Sequence, residues 1–168
     1  VLVTVSNIIQ DVKNNKDEAC LKYTREFDHV SLDTMEVTEE ELDAQISKCD
    51  TNFVEAMKLA KKNIEDFHKL QKQNGYLLQK EMGIYLGQRV LPLEAVGIYV
   101  PGGRAQYPSS VLMNAIPAKI AGVKNVVMVT PPDKEGTIHP NIAYAAKLAG
   151  VDKIYKVGGA QAIAALAY

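Results

Sequence analysis

Tyr99 and Gln161 are polar side chains that could reach into a crevice, Tyr99 by stacking or donating its hydroxyl and Gln161 by hydrogen-bonding through its amide. Tyr99 stands near the end of the strand-like run Val96-Gly97-Ile98-Tyr99-Val100, which feeds directly into Pro101-Gly102-Gly103 and then the helix start Tyr107-Pro108-Ser109-Ser110. Gln161 closes a second loop of the same design, Val157-Gly158-Gly159-Ala160-Gln161. Glycines let a backbone approach a ligand closely, and the free N–H groups at a helix start favour an anion. In an open parallel sheet ligands collect beyond the carboxyl ends of the strands, so two such loops on one rim make a nucleotide site.

Neither loop matches the G-x-G-x-x-G fingerprint, and no acidic residue stands where the ribose-binding carboxylate is expected about twenty positions on. Read alone, Gly102-Gly103 serves equally as a tight turn, Ser109 as a helix cap, Tyr99 as a strand-end core aromatic and Gln161 as a solvent-facing first-turn residue. A module binding phosphosugars or other anions at the same helix starts also remains open.

These loops need a scaffold, and hydrophobic periodicity supplies one. Val5, Ile8, Ile9 and Val12 share a helical face, and Ala19, Cys20, Tyr23 and Phe27 resume it after the polar break Lys13 to Asp17, which predicts two short helices in succession. Thr38 with Glu41 has capping-box spacing and marks another helix start. A longer helix is expected from about Asn52, ended by Asn74-Gly75. Tyr76-Leu77-Leu78 and Ile84-Tyr85-Leu86 flank Met82-Gly83 and predict a hairpin. From Ala95 strands and helices alternate: strands at 96–100, 125–129 and 153–157, helices at 109–122, 141–149 and from 159 onward. That alternation predicts right-handed βαβ crossovers and a parallel sheet. The expected fold is α/β: a helical module (1–74), a hairpin linker (75–93) and a partial Rossmann-like domain with flanking helices (94–168). Pro117 inside the first crossover helix is read as a tolerated kink. The final helix is apolar nearly all round and lacks a stop signal, so the chain is expected to be a fragment.

Composition narrows the function classes. A net charge of −1, with lysines interleaved among carboxylates, argues against a nucleic-acid partner. The longest apolar run, near 123–129, is too short to cross a bilayer, and the expectation is a cytoplasmic protein. Cys20 and Cys49 fall in amphipathic helical patterns and are read as reduced, partly buried thiols. His29, His68 and His139 are far apart and lack strong zinc-motif spacing, so no metal ligand is assigned in this chain.

Several strings together resemble the histidinol dehydrogenase family: 96–103, 107–118, Val129-Thr130-Pro131-Pro132, Ala149-Gly150-Val151-Asp152 and 157–168. Upstream, Asp17-Glu18-Ala19, Tyr23, Phe27-Asp28, Asn63-Ile64 and Phe67-His68 are similar to it as well. Arg104 and Gln106 stand where that family commonly has small residues. The resemblance implies a homodimeric zinc enzyme of histidine biosynthesis that oxidises L-histidinol to L-histidine in two NAD-dependent steps through a bound aldehyde. It implies that Tyr99 and Gln161 match positions contacting NAD. It also implies that the zinc ligands and the catalytic glutamate and histidine belong to a later part of the family's chain, so the segment by itself is expected to be inactive. A relative that oxidises another small alcohol is the neighbouring reading.

Overall fold

The structure is a computed structural model, and it describes residues 1–102 and 106–168. Helix α1 (Leu2–Tyr23) runs into a π-helical turn (Thr24–Asp28), followed by α2 (Glu39–Ile46) and α3 (Thr51–Lys69). Strands β1 (Tyr76–Glu81) and β2 (Ile84–Gln88) come next, and then β3 (Ala95–Tyr99), α4 (Pro108–Ala121), β4 (Asn125–Thr130), α5 (Pro140–Ala149), β5 (Lys153–Lys156) and α6 (Gly159–Ala167). The expected α/β order is therefore present, with β1 and β2 paired antiparallel and β3-β4-β5 forming a parallel sheet.

Local chemistry explains most element ends. The polar stretch between the two expected amino-terminal helices contains the break: Lys16 sits at φ 50°, ψ −127° inside α1 and separates its two halves. Thr38 caps α2 through its hydroxyl, which accepts the Glu41 N–H at 3.1 Å. Glu41 does not complete the capping box, because its carboxylate reaches the Lys156 ammonium at 2.9 Å. Asp50 caps α3 by accepting from the amides of Asn52 and Phe53. That helix stops at Lys69, short of the expected Asn74-Gly75. Leu70, Gln71 and Lys72 bond back to Phe67, His68 and Lys69 in tighter i to i−3 turns, and the exposed Phe67 and Leu70 have no core to hold a further α-turn. Ser109 is not a cap: α4 begins at Pro108 after Tyr107, placing Ser109 within the first turn, and the helix continues through Pro117.

The amino-terminal helices share both cores with the parallel sheet. Ile98, Val126, Met128 and Ile154 pack on one face with α4 and α5, against which Phe53, Met57 and Leu42 of α3 and α2 also lie. On the other face Val129 and Val157 meet Ile8, Val12 and Cys20 of α1 and Ala162 and Ala164 of α6. Successive residues of β4 point to opposite faces, and both faces are covered, so Met128, Val129 and Thr130 are buried in a row. Gly97 has no side chain on the α6 side, so Leu166 packs directly over it; a Cβ there would lie 2.7 Å from the leucine methyls.

Two features of this topology bear on function. Helices α4 and α5 cover one face of the sheet, and α6 lies on the other, where its Leu166 packs over Gly97 of β3. The outer edge of β5 is covered: Met35 accepts the Lys156 N–H at 2.7 Å and Val37 donates to Ile154 at 2.9 Å. Among the described residues, the outer edge of β3 has no paired strand.

Candidate functional site

Both glycine turns open on the same rim. β3 and β5 run parallel with β4 between them, so their carboxyl ends carry Pro101-Gly102 and Gly158-Gly159 side by side. Gly103, the second glycine of the first turn, and Arg104 lie outside the described residues. Pro131, at the end of β4, fills the space between the turns. A Cβ at Gly102 would stand 2.9 Å from Pro131 Cγ, and one at Gly158 would stand 2.8 Å from Pro131 Cβ. Both glycines are thus needed for close packing around one proline ring, a role that the sequence reading of backbone approach to a ligand did not assign.

Tyr99 spans the rim. Its ring lies in the core shared with α1 and α6, and its hydroxyl accepts the Gly159 N–H at 3.3 Å. Gly158, the N-cap of α6, has no side chain to do this, so a phenol from β3 caps a helix that follows β5. Accepting that bond leaves the Tyr99 O–H proton free to be donated elsewhere. The core-aromatic reading of Tyr99 thus holds for its ring, and its hydroxyl is bonded to the start of α6.

Gln161 is only 1% exposed, which removes the solvent-facing reading. Its side chain folds back over the helix start, so that a Cβ on Gly159 would lie 2.6 Å from Oε1, and Gly159 itself adopts φ +66°. Glycine alone meets both demands at this position. Among the described residues Gln161 Oε1 is buried and has no hydrogen-bond partner. A buried, unpaired amide oxygen costs about 1–3 kcal/mol, and such groups in folded proteins call for a ligand, ion or water. Three described side-chain atoms are in this state, Gln161 Oε1, Thr24 Oγ1 and Asp28 Oδ2, and the last two belong to the π-helical turn. Cys20 on α1 sets the proximity, its Sγ lying 3.9 Å from the Gln161 carbonyl oxygen one turn before Thr24.

The histidinol dehydrogenase family model matches residues 1–168, the whole chain. The chain belongs to the histidinol dehydrogenase family. It is 57% identical over 168 residues to the histidinol dehydrogenase of Clostridium acetobutylicum, covering all of this chain and 39% of that protein. It is 54% identical over 164 residues to that of Listeria innocua, covering 98% of this chain and 38% of the relative. The crystal structure of histidinol dehydrogenase from Elizabethkingia anophelis superposes with a TM-score of 0.92 at 41% identity, over 98% of this chain and 38% of that one. The chain thus spans about two fifths of the length of these relatives.

Among the described residues no three His, Cys, Asp or Glu side chains come together as a metal site, and no helix is long and apolar enough to cross a membrane. His139 caps α5, its Nδ1 accepting the Asn141 N–H at 3.2 Å. Cys20 is fully buried, and burial pushes its thiol up to about 11. Cys49 is half-buried against the Pro140 carbonyl, and burial raises its thiol as well. Both cysteines are free thiols. Pro131 and Asp28 are members of the rim that sequence reasoning missed: each becomes visible only when the fold brings α1, β4 and the two turns together.

Proposed function

We propose that residues 94–168 form the first half of a dinucleotide-binding domain, in a histidinol dehydrogenase that oxidises L-histidinol to L-histidine with NAD. The observation that carries the reading is Gln161 Oε1, buried and without a partner among the described residues, beside the Tyr99–Gly159 link at the carboxyl rim of the parallel sheet. That rim is where doubly wound sheets bind nucleotides. The residues present fit such a group: Gln161 Oε1 accepts a donor from it, the Tyr99 hydroxyl donates to it, and the start of α6 faces its negative charge. Bound there, each of two successive NAD+ molecules would accept one hydride, the first from the alcohol and the second from the hydrated aldehyde. Tyr99 and Gln161 hold and orient the cofactor; neither is assigned a proton-transfer step.

The family further supports histidine biosynthesis, a homodimer, a cytoplasmic setting and a zinc-dependent reaction as properties of the whole protein. This chain's described side chains do not assemble a zinc ligand set. The chain spans 39% of its Clostridium acetobutylicum relative, which supports a second element of the reading: turnover requires groups that these residues do not supply. Incubating this chain with L-histidinol and NAD+ and following NADH absorbance tests it. No turnover is expected, together with measurable NAD+ binding by calorimetry. Turnover would overturn the assignment of catalysis to other residues, and absence of binding at millimolar NAD+ would overturn the nucleotide site.

A further inference from the structure

The Asn74-Gly75 pair does not end α3, the role its sequence suggested. That helix stops at Lys69, and the tighter turns after it close at Lys72, so Asn74 and Gly75 lie in an irregular, exposed stretch before β1. An asparagine in such a place is open to a reaction that regular elements suppress. The backbone nitrogen of the next residue closes a five-membered ring on the side-chain amide carbon, provided the backbone between them is free to turn and no side chain obstructs the approach. Glycine meets the second demand and the irregular backbone the first. The Gly75 N–H lies outside the β1–β2 ladder, whose first pair is Tyr76 with Gln88, and it donates to nothing among the described residues.

The sequence holds eight other asparagines, and each precedes a residue that bears a side chain. All of them lie within α1, α3, α4, β4 or α5. A helical backbone cannot turn to the attacking geometry without breaking its own hydrogen-bonded turn. At Asn125, the first residue of β4, the following Val126 N–H is held by the Asp152 carboxylate at 2.6 Å.

The reaction also falls at a crowded point. Strands β1 and β2 are exposed along their whole length, so the hairpin depends on its ladder and on the chain at its foot. There a Cβ on Gly75 would collide with the Gln88 carbonyl oxygen, leaving no room on that side for further atoms.

We propose that Asn74 is a site of spontaneous deamidation, and that the isoaspartate formed there unseats the foot of the β1–β2 hairpin. The Gly75 nitrogen gives its proton to solvent base and bonds to Asn74 Cγ; the Cγ–Nδ2 bond breaks, and ammonia leaves with a proton taken from solvent. Water then opens the resulting succinimide. Cleavage of the bond from the Gly75 nitrogen to Cγ gives aspartate, whereas cleavage of its bond to the main-chain carbonyl carbon gives isoaspartate, with the chain running through Cβ and Cγ. One water is consumed and one ammonia released, and nothing is oxidised or reduced. The isoaspartate lengthens the backbone by one carbon directly before Gly75.

The test incubates this chain and a free peptide of residues 70–78 side by side at mildly alkaline pH, with mass analysis of tryptic fragments. Isoaspartate is read by enzymatic methylation with S-adenosylmethionine. Deamidation of the folded chain is expected first at Asn74, at a rate within about tenfold of the peptide's, and is expected to vanish from that fragment in Asn74→Gln. A folded chain that reacts at Asn74 more than about tenfold slower than the peptide, or first at another asparagine, would overturn the site. Hydrogen exchange tests the consequence. The isoaspartate form is expected to lose about tenfold or more of the protection of the ladder amides nearest the foot, in Tyr76–Leu78 and Leu86–Gln88. Asn74→Asp, with the same charge on a backbone of ordinary length, is expected to exchange as the parent does. Unchanged exchange in the isoaspartate form, or an equal loss in Asn74→Asp, would overturn the unseating of the hairpin.

Discussion

Placing a methyl group on either glycine of the rim separates two contacts that look alike. The Gly102→Ala Cβ would meet Pro131 Cγ at 2.9 Å and Cδ at 3.4 Å, whereas the Gly158→Ala Cβ would meet Pro131 Cβ at 2.8 Å and Cγ at 3.2 Å. Carbon atoms prefer about 3.5–4.0 Å, so each variant must open a gap of roughly 0.6–1 Å against a rigid ring. Neither glycine has a positive φ, and Gly158 is extended at φ −120°, so steric crowding alone carries the cost. Overpacking of this kind costs about 1–3 kcal/mol, which lowers the melting temperature of a chain this size by roughly 2–10 °C. Pro131→Ala distinguishes the two, because it removes Cγ and Cδ but keeps Cβ. Combined with Gly102→Ala it removes the clash, giving a favourable coupling of about 1–2 kcal/mol; combined with Gly158→Ala it leaves the nearest atom in place, and the effects approach additivity. Thermal unfolding of the parent, three single and two double variants measures both couplings. Additivity within about 0.5 kcal/mol for the Gly102 pair would refute the claim that Pro131 is the wall of that turn, and equal rescue in both pairs would refute the assignment of the Gly158 contact to Pro131 Cβ.

Four further outcomes follow from the geometry. Glu41→Gln is expected to lower stability by about 2–3 kcal/mol in urea titrations, because Lys156 is 8% exposed and loses its carboxylate; the partial exposure of Glu41, at 20%, keeps this at the low end for a buried pair. Adding Lys156→Met should recover most of that loss, and a double variant no better than the single would argue against the pair. Tyr99→Phe removes the acceptor for the Gly159 N–H and should cost about 1 kcal/mol of stability while weakening NAD+ binding; unchanged binding would detach Tyr99 from the cofactor. Hydrogen bonds from Lys22, Asn15 and Tyr23 hold Asp11 at about 2, below its ordinary 3.8. A lowered carboxylate stabilises the fold above its ordinary value and loses that contribution as pH falls, so the parent should lose stability between about pH 4 and pH 2 more steeply than Asp11→Asn; identical slopes would contradict it. At pH 8 a thiol reagent should leave Cys20 unmodified until the chain unfolds, whereas rapid labelling of the folded chain would contradict its burial.

Most of the scaffold was legible in the sequence because its signals are local. The alternation of strands and helices from Ala95, the turn at Met82-Gly83, the polar break around Lys16 and the Thr38 cap each depend on a few neighbouring residues. Two expectations failed where tertiary context decides: α3 stops at Lys69, where Phe67 and Leu70 are exposed and outside the core, and Pro108 rather than Ser109 sets the start of α4. The rim was only half legible. Glycine pairs after strands marked Tyr99 and Gln161, but the burial of Gln161, the proline between the turns and the arrival of Asp28 from α1 depend on long-range packing. No spacing rule reports these, since Asp28 and Cys20 are remote in sequence from the loops they adjoin.

Amide chemical shifts of this chain during an NAD+ titration bear most directly on the nucleotide groove. The account expects saturable shifts centred on Gly97–Gly102 and Gly158–Gln161, with a dissociation constant of about a millimolar for half a site, abolished by Gln161→Leu. Shifts centred elsewhere, or a Gln161→Leu variant that titrates as the parent does, would contradict it.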